Sequence, residues 1–230
     1  IKPKTSDTLT DDEKATVTGT VLAGKNVVSI TPTVVDPNYS YLELDVAFKY
    51  NPNLTDRTDI ELKSVVSDVI DDYSLNDLNK FDGVFRHSAL LRNIDSSDPS
   101  ILNSTVRPFL FKNITPLNTI SNNFSLVYPG SFYVPGGATD TCIQSTAFKI
   151  GGVDNYFNDV AIPGSANRKI FAYRLVGSEK VVTISDCGVV NPTEGTITLN
   201  SFITDTTDSI RISVTPESLD IAPKRDEILS

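Results

Sequence analysis

Residues 39–52, YSYLELDVAFKYNP, carry the pattern that decides the fold of the first half of the chain. Apolar side chains alternate here with polar or small ones: Leu42, Leu44, Val46 and Phe48 against Glu43, Asp45, Ala47 and Lys49. This period of two is typical of a strand with one buried face. The preceding run VVSITPTVVDP, residues 27–37, is rich in β-branched residues and is separated from it by turn-forming Asp36-Pro37-Asn38. We therefore expect two adjacent strands.

Two capping boxes, in which a threonine is followed three residues later by a glutamate, indicate helix starts. Thr10 and Glu13 open a short helix, which Gly24 is placed to end. Thr58 and Glu61 open a longer helix, whose apolar residues recur at helical spacing along one side: Leu62, Val65, Val66, Val69 and Tyr73.

The next segment predicts a short helix followed by a strand. Ser88 is in a capping position for a helix that runs to about Asp95, with Leu90, Leu91 and Ile94 on its apolar side. Residues 104–114, STVRPFLFKNI, then form a strand in which Pro108 predicts an edge position or a bulge. The order of elements predicts a small α/β domain over residues 1–115, resembling a split βαβ arrangement with helices on one face of a mixed sheet.

From Pro116 onward the character of the sequence changes, because no strong helical period remains and turn residues separate short runs of strand-forming residues. Six runs are candidate strands: residues 123–128, 145–150, 169–176, 180–184, 195–202 and 209–216. This spacing is typical of a sandwich or small barrel. The prediction is an α+β protein in which a β-rich, sandwich-like domain, residues 116–230, follows the α/β domain.

The composition excludes several classes of function. The 230 residues are 39% hydrophobic, enough for a substantial core. A formal net charge of -9 and a pI near 4.6 would repel phosphate backbones, so we expect no nucleic-acid partner. No apolar stretch approaches the length of a membrane-spanning helix and no signal peptide stands at the front, so we expect no membrane partner. Because Ile1 is an implausible native start, we also expect a fragment of something longer.

The only histidine, His87, stands beside Ser88, with Asp82 and Asp95 nearby, which invites a Ser-His-Asp interpretation. Triad residues are brought together by the fold and need an oriented base and an oxyanion hole. Neither is visible around His87. A polar strand-to-helix junction explains both residues without chemistry, and we expect no catalytic residues.

The two cysteines, Cys142 and Cys187, are far apart in sequence and lie in no CxxC motif, with too few histidines for a zinc site. Two buried thiols are favoured over a disulfide, since no signal for an oxidising compartment is present. The carboxylate-rich segments lack the alternating ligands and the glycine of a calcium loop, and the glycine pairs lack the features of a phosphate loop. We expect no metal site and no cofactor.

The most specific stretch, FRHSALLRNID at residues 85–95, leads through a helix to Ser100-Ile101. Together with the order of elements, and with residues 188–202 and 210–229, it resembles the C-terminal portion of the baseplate wedge proteins of contractile-tailed bacteriophages, which are related more widely to the baseplate J-like proteins. Two segments depart from that pattern: VVNPTEG, where a tyrosine-bearing turn is expected, and TDTCIQSTAF, which carries a cysteine.

The resemblance implies a structural subunit rather than an enzyme. Wedge proteins of this family join around the central hub into a ring, whose rearrangement is linked to sheath contraction. The expected partners are other copies of the chain and other wedge proteins, with no small-molecule substrate. The expected location is the tail baseplate of the virion, assembled in the cytoplasm of the bacterial host. The alternative from another class is a glycan- or receptor-binding β module of a phage tail.

Overall fold

The computed structural model describes residues 1, 8–22, 33–136, 140–225 and 227–230. Gly24 and most of the predicted strand at residues 27–37 lie outside this part of the chain. Residues 33–37, the described remainder of that strand, have no regular secondary structure.

The described residues contain three α-helices: α1 (Asp11–Thr16), α2 (Asp59–Tyr73) and α3 (His87–Asp95). Both predicted capping boxes are confirmed, because Thr10 and Thr58 each accept the N–H of the glutamate three residues on, which in turn accepts the threonine N–H. Single π-helical turns extend α1 and α2, at Val17–Val21 and Ser74–Leu78.

The predicted capping role of Ser88 is wrong. The N-cap of α3 is Arg86, and no side-chain hydrogen bond caps this helix locally, which leaves Ser88 inside the first turn. A distant carboxylate takes over part of that role, since Asp220 Oδ1 accepts the His87 N–H at 2.8 Å. A sequence pattern that scans neighbouring residues cannot detect a cap supplied from so far along the chain.

The strands of the described residues form two sheets. From edge to edge, sheet 1 contains β11 (Glu227–Leu229), β1 (Asn38–Tyr50), β2 (Ile101–Ile114), β10 (Ile210–Val214) and β4 (Ile143–Ser145). Sheet 2 contains β3 (Asn122–Val127), β9 (Thr196–Phe202), β8 (Glu179–Asn191), β7 (Arg168–Val176), β6 (Val153–Ala161) and β5 (Phe148–Ile150). The protein is therefore mostly β with a few helices.

The predicted alternation along β1 is confirmed. The four apolar positions from Leu42 to Phe48 pack against the core, whereas the residues between them are exposed. The strand predicted at residues 104–114 is also found, starting slightly earlier at Ile101. Pro108 pairs with Leu44 of β1, and the β10 pairing on the other side begins only at Leu110. Because a proline has no N–H to donate, it fits at a position with one partner strand.

The connection between β1 and β2 differs from the predicted split βαβ arrangement. That arrangement separates two parallel strands by a third, whereas β1 and β2 are adjacent and antiparallel. Two helices, α2 and α3, run between them, so the chain returns to the end of the sheet where β1 finishes. The Asn51 N–H donates to the Ser100 carbonyl at 2.9 Å across this point. The sheet is nevertheless mixed, since β11 is parallel to β1.

Strands from both halves of the sequence share sheet 1. Residues beyond 116 supply β4, β10 and β11, which add to the β1–β2 pair. Buried side chains of both sheets belong to one core cluster. The fully buried Tyr128, just after β3, donates its hydroxyl to the Ile212 carbonyl of β10 at 2.9 Å, which joins the sheets directly. The division at residues 115 and 116 stays a prediction.

Every strand run predicted in the second half coincides with an observed strand, although the run at residues 145–150 is split between β4 and β5. The sequence interpretation missed β6, VDNYFNDVA, since its asparagines and aspartates are typical of loops. Three of these polar residues, Asn155, Asn158 and Asp159, are buried and hydrogen-bonded.

Candidate assembly surface

His87 is held by the main chain rather than by a catalytic group. The ring Nε2 lies 2.9 Å from the Val106 carbonyl oxygen of β2, and the backbone N–H of His87 donates to the Asp220 carboxylate. Ser88 is exposed, and Asp95 accepts the Ser104 hydroxyl at 2.6 Å instead of contacting the imidazole. The fold therefore does not bring these residues together as a Ser-His-Asp triad.

The stretch around His87 acts as a packing joint. Phe85 is fully buried and exchanges two main-chain hydrogen bonds with Ile221, at 2.8 and 2.9 Å. Tyr73, at the end of α2, contacts the Phe85 ring edge-on and accepts the Arg86 N–H at 2.9 Å. The segment thus ties α2, α3 and the residues after β10 together, a structural role that explains its specific pattern without chemistry.

Both cysteines are free and buried, as the sequence predicted. Burial raises the pKa of the Cys142 thiol to about 11 and that of the Cys187 thiol to about 12. Since the thiolate is the nucleophile, neither residue is poised to react near neutral pH.

The described ranges contain neither a candidate metal cluster nor a candidate membrane-spanning helix. Within them, no cluster of three or more His, Cys, Asp or Glu side chains is placed to hold a metal ion. No helix there has the length and apolar character needed to span a bilayer.

A buried ion pair makes the end of β6 rigid. The side chain of Asp159 is 0% exposed and pairs with Arg168 of β7, itself 6% exposed. Asp159 Oδ1 also accepts the N–H groups of Cys142 and Ile143, at 2.8 and 3.0 Å, while Arg168 donates to the Asp140 carbonyl at 2.5 Å. These contacts hold the segment that enters β4 of sheet 1 against sheet 2, and so fix one junction of the two sheets.

The part of the molecule that best fits contact with another chain is the end of the β7–β8 hairpin, residues 174–184, here named the arm. β6 pairs with β7 only as far as Tyr173, and β9 pairs with β8 only from Gly188 onward. Within the described residues, the arm is therefore a two-stranded ribbon without strand neighbours. Such a ribbon is marginal by itself in water.

The arm exposes aliphatic side chains on both faces. Leu175 is 50%, Val176 55%, Val181 39% and Val182 53% exposed. Leu175 pairs with Lys180, and Arg174 with Val181. Because opposite residues share a face and successive ones alternate, Leu175 and Val182 lie on one face and Val176 and Val181 on the other. Aliphatic residues clustered on a projecting element mark an interaction site better than scattered ones do.

Sequence reasoning predicted both strands of the arm but not its role. Aliphatic strand runs such as residues 169–176 and 180–184 suggest a core strand, and nothing in them shows that the neighbouring strands stop short. Only the register with β6 and β9 shows that this part of the hairpin projects.

Comparison with known proteins gives a match for the unit that runs from β1 to β2. The family model described as "Baseplate structural protein gp6, C-terminal domain III" matches residues 38–113, from the start of β1 to the penultimate residue of β2. These residues thus resemble a C-terminal domain of a baseplate structural protein.

One similar curated protein is the baseplate wedge protein gp6 of Enterobacteria phage T4, which is 28% identical over 104 residues. The aligned region covers 45% of this chain and 16% of that protein, so the chain spans about a sixth of the length of the relative it matches. The resemblance to the C-terminal portion of a baseplate wedge protein, expected from the sequence, is confirmed.

Proposed function

We propose that this chain is a structural, non-enzymatic part of a bacteriophage tail baseplate wedge. The observation that carries the proposal is the match of residues 38–113 to the gp6 domain, because it coincides with the β1-α2-α3-β2 unit rather than with an arbitrary window. The packing joint around Phe85 and His87 supports it, since the most specific sequence pattern serves architecture.

The proposed partners are other copies of the chain and other wedge proteins, in a ring around the central hub that rearranges when the sheath contracts. The proposed location is the virion baseplate, with assembly in the host cytoplasm. Rigid units joined by modest contacts suit a ring that must change shape. The ion pair of Asp159 and Arg168 supplies rigidity, and the arm supplies a compact contact surface.

The arm is the proposed contact with a neighbouring subunit. To test this, the chain is mixed with its candidate wedge partner and the mass of the complex is measured by light scattering after gel filtration. Two double variants separate the faces of the arm: Leu175→Ser with Val182→Ser, and Val176→Ser with Val181→Ser. At least one pair should weaken the complex by about tenfold or more, which corresponds to about 1.4 kcal/mol.

The matched control replaces two equally exposed aliphatic residues outside the arm, Leu54→Ser with Leu117→Ser, which are 55% and 62% exposed in the native chain. This variant should bind like the native protein. Persistent monomers at high concentration, with and without the partner, would contradict the proposed function. A stable complex that is indifferent to both arm variants would contradict only the assignment of the arm.

A further inference from the structure

A cleft of about 610 Å³ opens between the two sheets on the side of β3. Its walls come from the start of β1, the end of β2, residues 125–127 of β3, and three residues near the chain end, Lys224, Arg225 and Glu227. We name it the β3 cleft. It is separate from the arm, which contributes no residue to it.

One wall of the cleft is a strand edge with outward-facing main-chain groups. β3 is the outermost strand of sheet 2, and its only described partner is β9. The Tyr128 N–H donates to the Gly195 carbonyl at 2.8 Å, which identifies this pair as hydrogen-bonded. Since hydrogen-bonded positions alternate along an antiparallel pair, the N–H and C=O groups of Ser125 and Val127 point away from β9.

The charged residues that line the cleft are mostly basic, although the chain as a whole carries a net charge of -9. Among the described lining residues, three are basic, Lys112, Lys224 and Arg225, and one is acidic, Glu227, whose carboxylate lies 2.9 Å from Lys112 Nζ. Lys224 Nζ donates to the Glu194 carbonyl, a neutral acceptor, at 3.3 Å. The cleft is thus suited to negative charge.

An aromatic surface borders the same cleft. The rings of Tyr39 and Tyr41 stack with centroids 6.2 Å apart, and Tyr41 stacks on Phe111 at 5.2 Å. Rigid aromatic side chains bury large areas at interfaces with little loss of conformational entropy. The cleft therefore combines a strand edge, positive charge and an apolar wall.

We propose that the β3 cleft binds an extended acidic segment of a partner protein, which adds to β3 as a further strand. The main-chain groups of Ser125 and Val127 would supply the hydrogen bonds that hold such a segment, as in other cases of strand addition. Carboxylates of the segment face Lys224 and Arg225, which gives preference for acidic sequences. This inference goes beyond the baseplate role and does not depend on it.

The probe is a fluorescent synthetic peptide in which glutamate alternates with valine or threonine over about eight residues, the span of an ordinary strand. Two analogues accompany it. One replaces every glutamate with glutamine, and the other carries N-methyl groups on alternate amides, which blocks strand pairing along one edge. Fluorescence anisotropy should show that each analogue binds at least about tenfold more weakly than the parent peptide.

Charge-reversal variants locate the binding. Lys224→Glu with Arg225→Glu should weaken the acidic peptide by at least about tenfold. The control, Lys49→Glu with Arg92→Glu, makes the same change in net charge at exposed positions outside the cleft and outside the arm, and should stay within about twofold of the native protein. Circular dichroism checks that all the variants are folded.

A second pair of variants tests strand addition itself. Val127→Pro removes a β3 N–H that points away from β9, so the β3–β9 ladder keeps its hydrogen bonds. A bound peptide, in contrast, can no longer accept a hydrogen bond from this position of β3. Val127→Thr retains that N–H and is the matched control. The proline variant should lose at least about tenfold in affinity relative to the threonine variant.

Several outcomes would overturn the proposal. Equal binding of the glutamate and glutamine peptides would exclude recognition of charge, and equal loss in the cleft and control charge reversals would show a diffuse field effect. An unaffected Val127→Pro variant would exclude strand addition. Displacement of the peptide by inorganic phosphate at low millimolar concentration would identify a small-anion site instead. None of these outcomes bears on assembly through the arm, which is measured by complex mass.

Discussion

Replacing Asp159 with asparagine should destabilise the protein by about 3 kcal/mol, since breaking a buried ion pair by removing one partner costs about 3–5 kcal/mol. Both side chains of the pair are almost fully buried, at 0% for Asp159 and 6% for Arg168. The lower end of the range is expected because the asparagine oxygen can still accept the N–H groups of Cys142 and Ile143, and because Arg168 retains the Asp140 carbonyl as an acceptor.

Alanine at position 159 should cost more, about 5 kcal/mol, because it also leaves those two buried N–H groups without their acceptor, at roughly 1–3 kcal/mol each and not fully additive. The assay is equilibrium unfolding in urea at neutral pH, followed by far-UV circular dichroism and by tyrosine fluorescence, since the chain contains no tryptophan.

The matched control is Asp154→Asn, on the same strand, β6, as Asp159. It removes the carboxylate of an exposed ion pair with Lys149 of β5, in which both side chains are 55% exposed. It should leave the midpoint almost unchanged, because exposed ion pairs are screened by water. The reasoning would be refuted if the Asp159→Asn midpoint fell no further than that of Asp154→Asn, since burial would then make no difference to the pair.

Three further predictions concern stability and reactivity. Gly188→Ala should destabilise the protein by at least about 3 kcal/mol in the same urea assay, because Gly188 has a positive φ and the new Cβ would collide with a β9 carbonyl. Gly177 also has a positive φ but faces open space, so Gly177→Ala should cost only about 1 kcal/mol. Equal effects of the two substitutions would contradict the steric argument. Neither Cys142 nor Cys187 should react with a thiol reagent in the folded protein near pH 8, because burial raises the pKa of each thiol far above that pH. Both should react once urea unfolds the chain. Rapid labelling of the native state would be inconsistent with this burial. His87→Ala should lower the free energy of unfolding by about 1 kcal/mol, because the hydrogen bond from the ring to β2 is lost. It should leave the mass of the wedge complex unchanged. A variant that folds but cannot assemble would show that the histidine has a further role.

The elements that could be predicted from sequence are those determined by neighbouring residues. The capping box of Thr58 and Glu61 satisfies helix-end N–H groups within one turn, and the alternation along residues 42–48 depends only on one buried face. The failures involve distant partners. The local pattern favours Ser88 as the cap of α3, and it cannot show that Asp220, far along the chain, accepts an N–H at this helix start. The pattern also misses β6, because the polar residues of that strand find their partners only inside the fold.

The same distinction holds for the candidate surfaces. The helix that begins at His87 could be predicted from its local sequence, whereas the arm depends on where β6 and β9 stop pairing, which no local pattern shows. The β3 cleft is a further step removed, since it brings Lys112 and Lys224, from opposite halves of the sequence, to one strand edge. Sequence alone indicates what each strand prefers to bury but not which strands meet.

The make-up of sheet 1 has a consequence for how the protein is made. β1 pairs with β11 across most of the length of the sequence, and β2 pairs with β10 across nearly half of it. As the nascent chain leaves the ribosome, the outer edges of the β1–β2 pair therefore stay unpaired until the residues of β10 and β11 emerge. Pairings of such long sequence separation fold slowly, and open edges can associate wrongly meanwhile. Expression yield should consequently depend on growth temperature and on chaperone supply more than on the stability of the finished molecule.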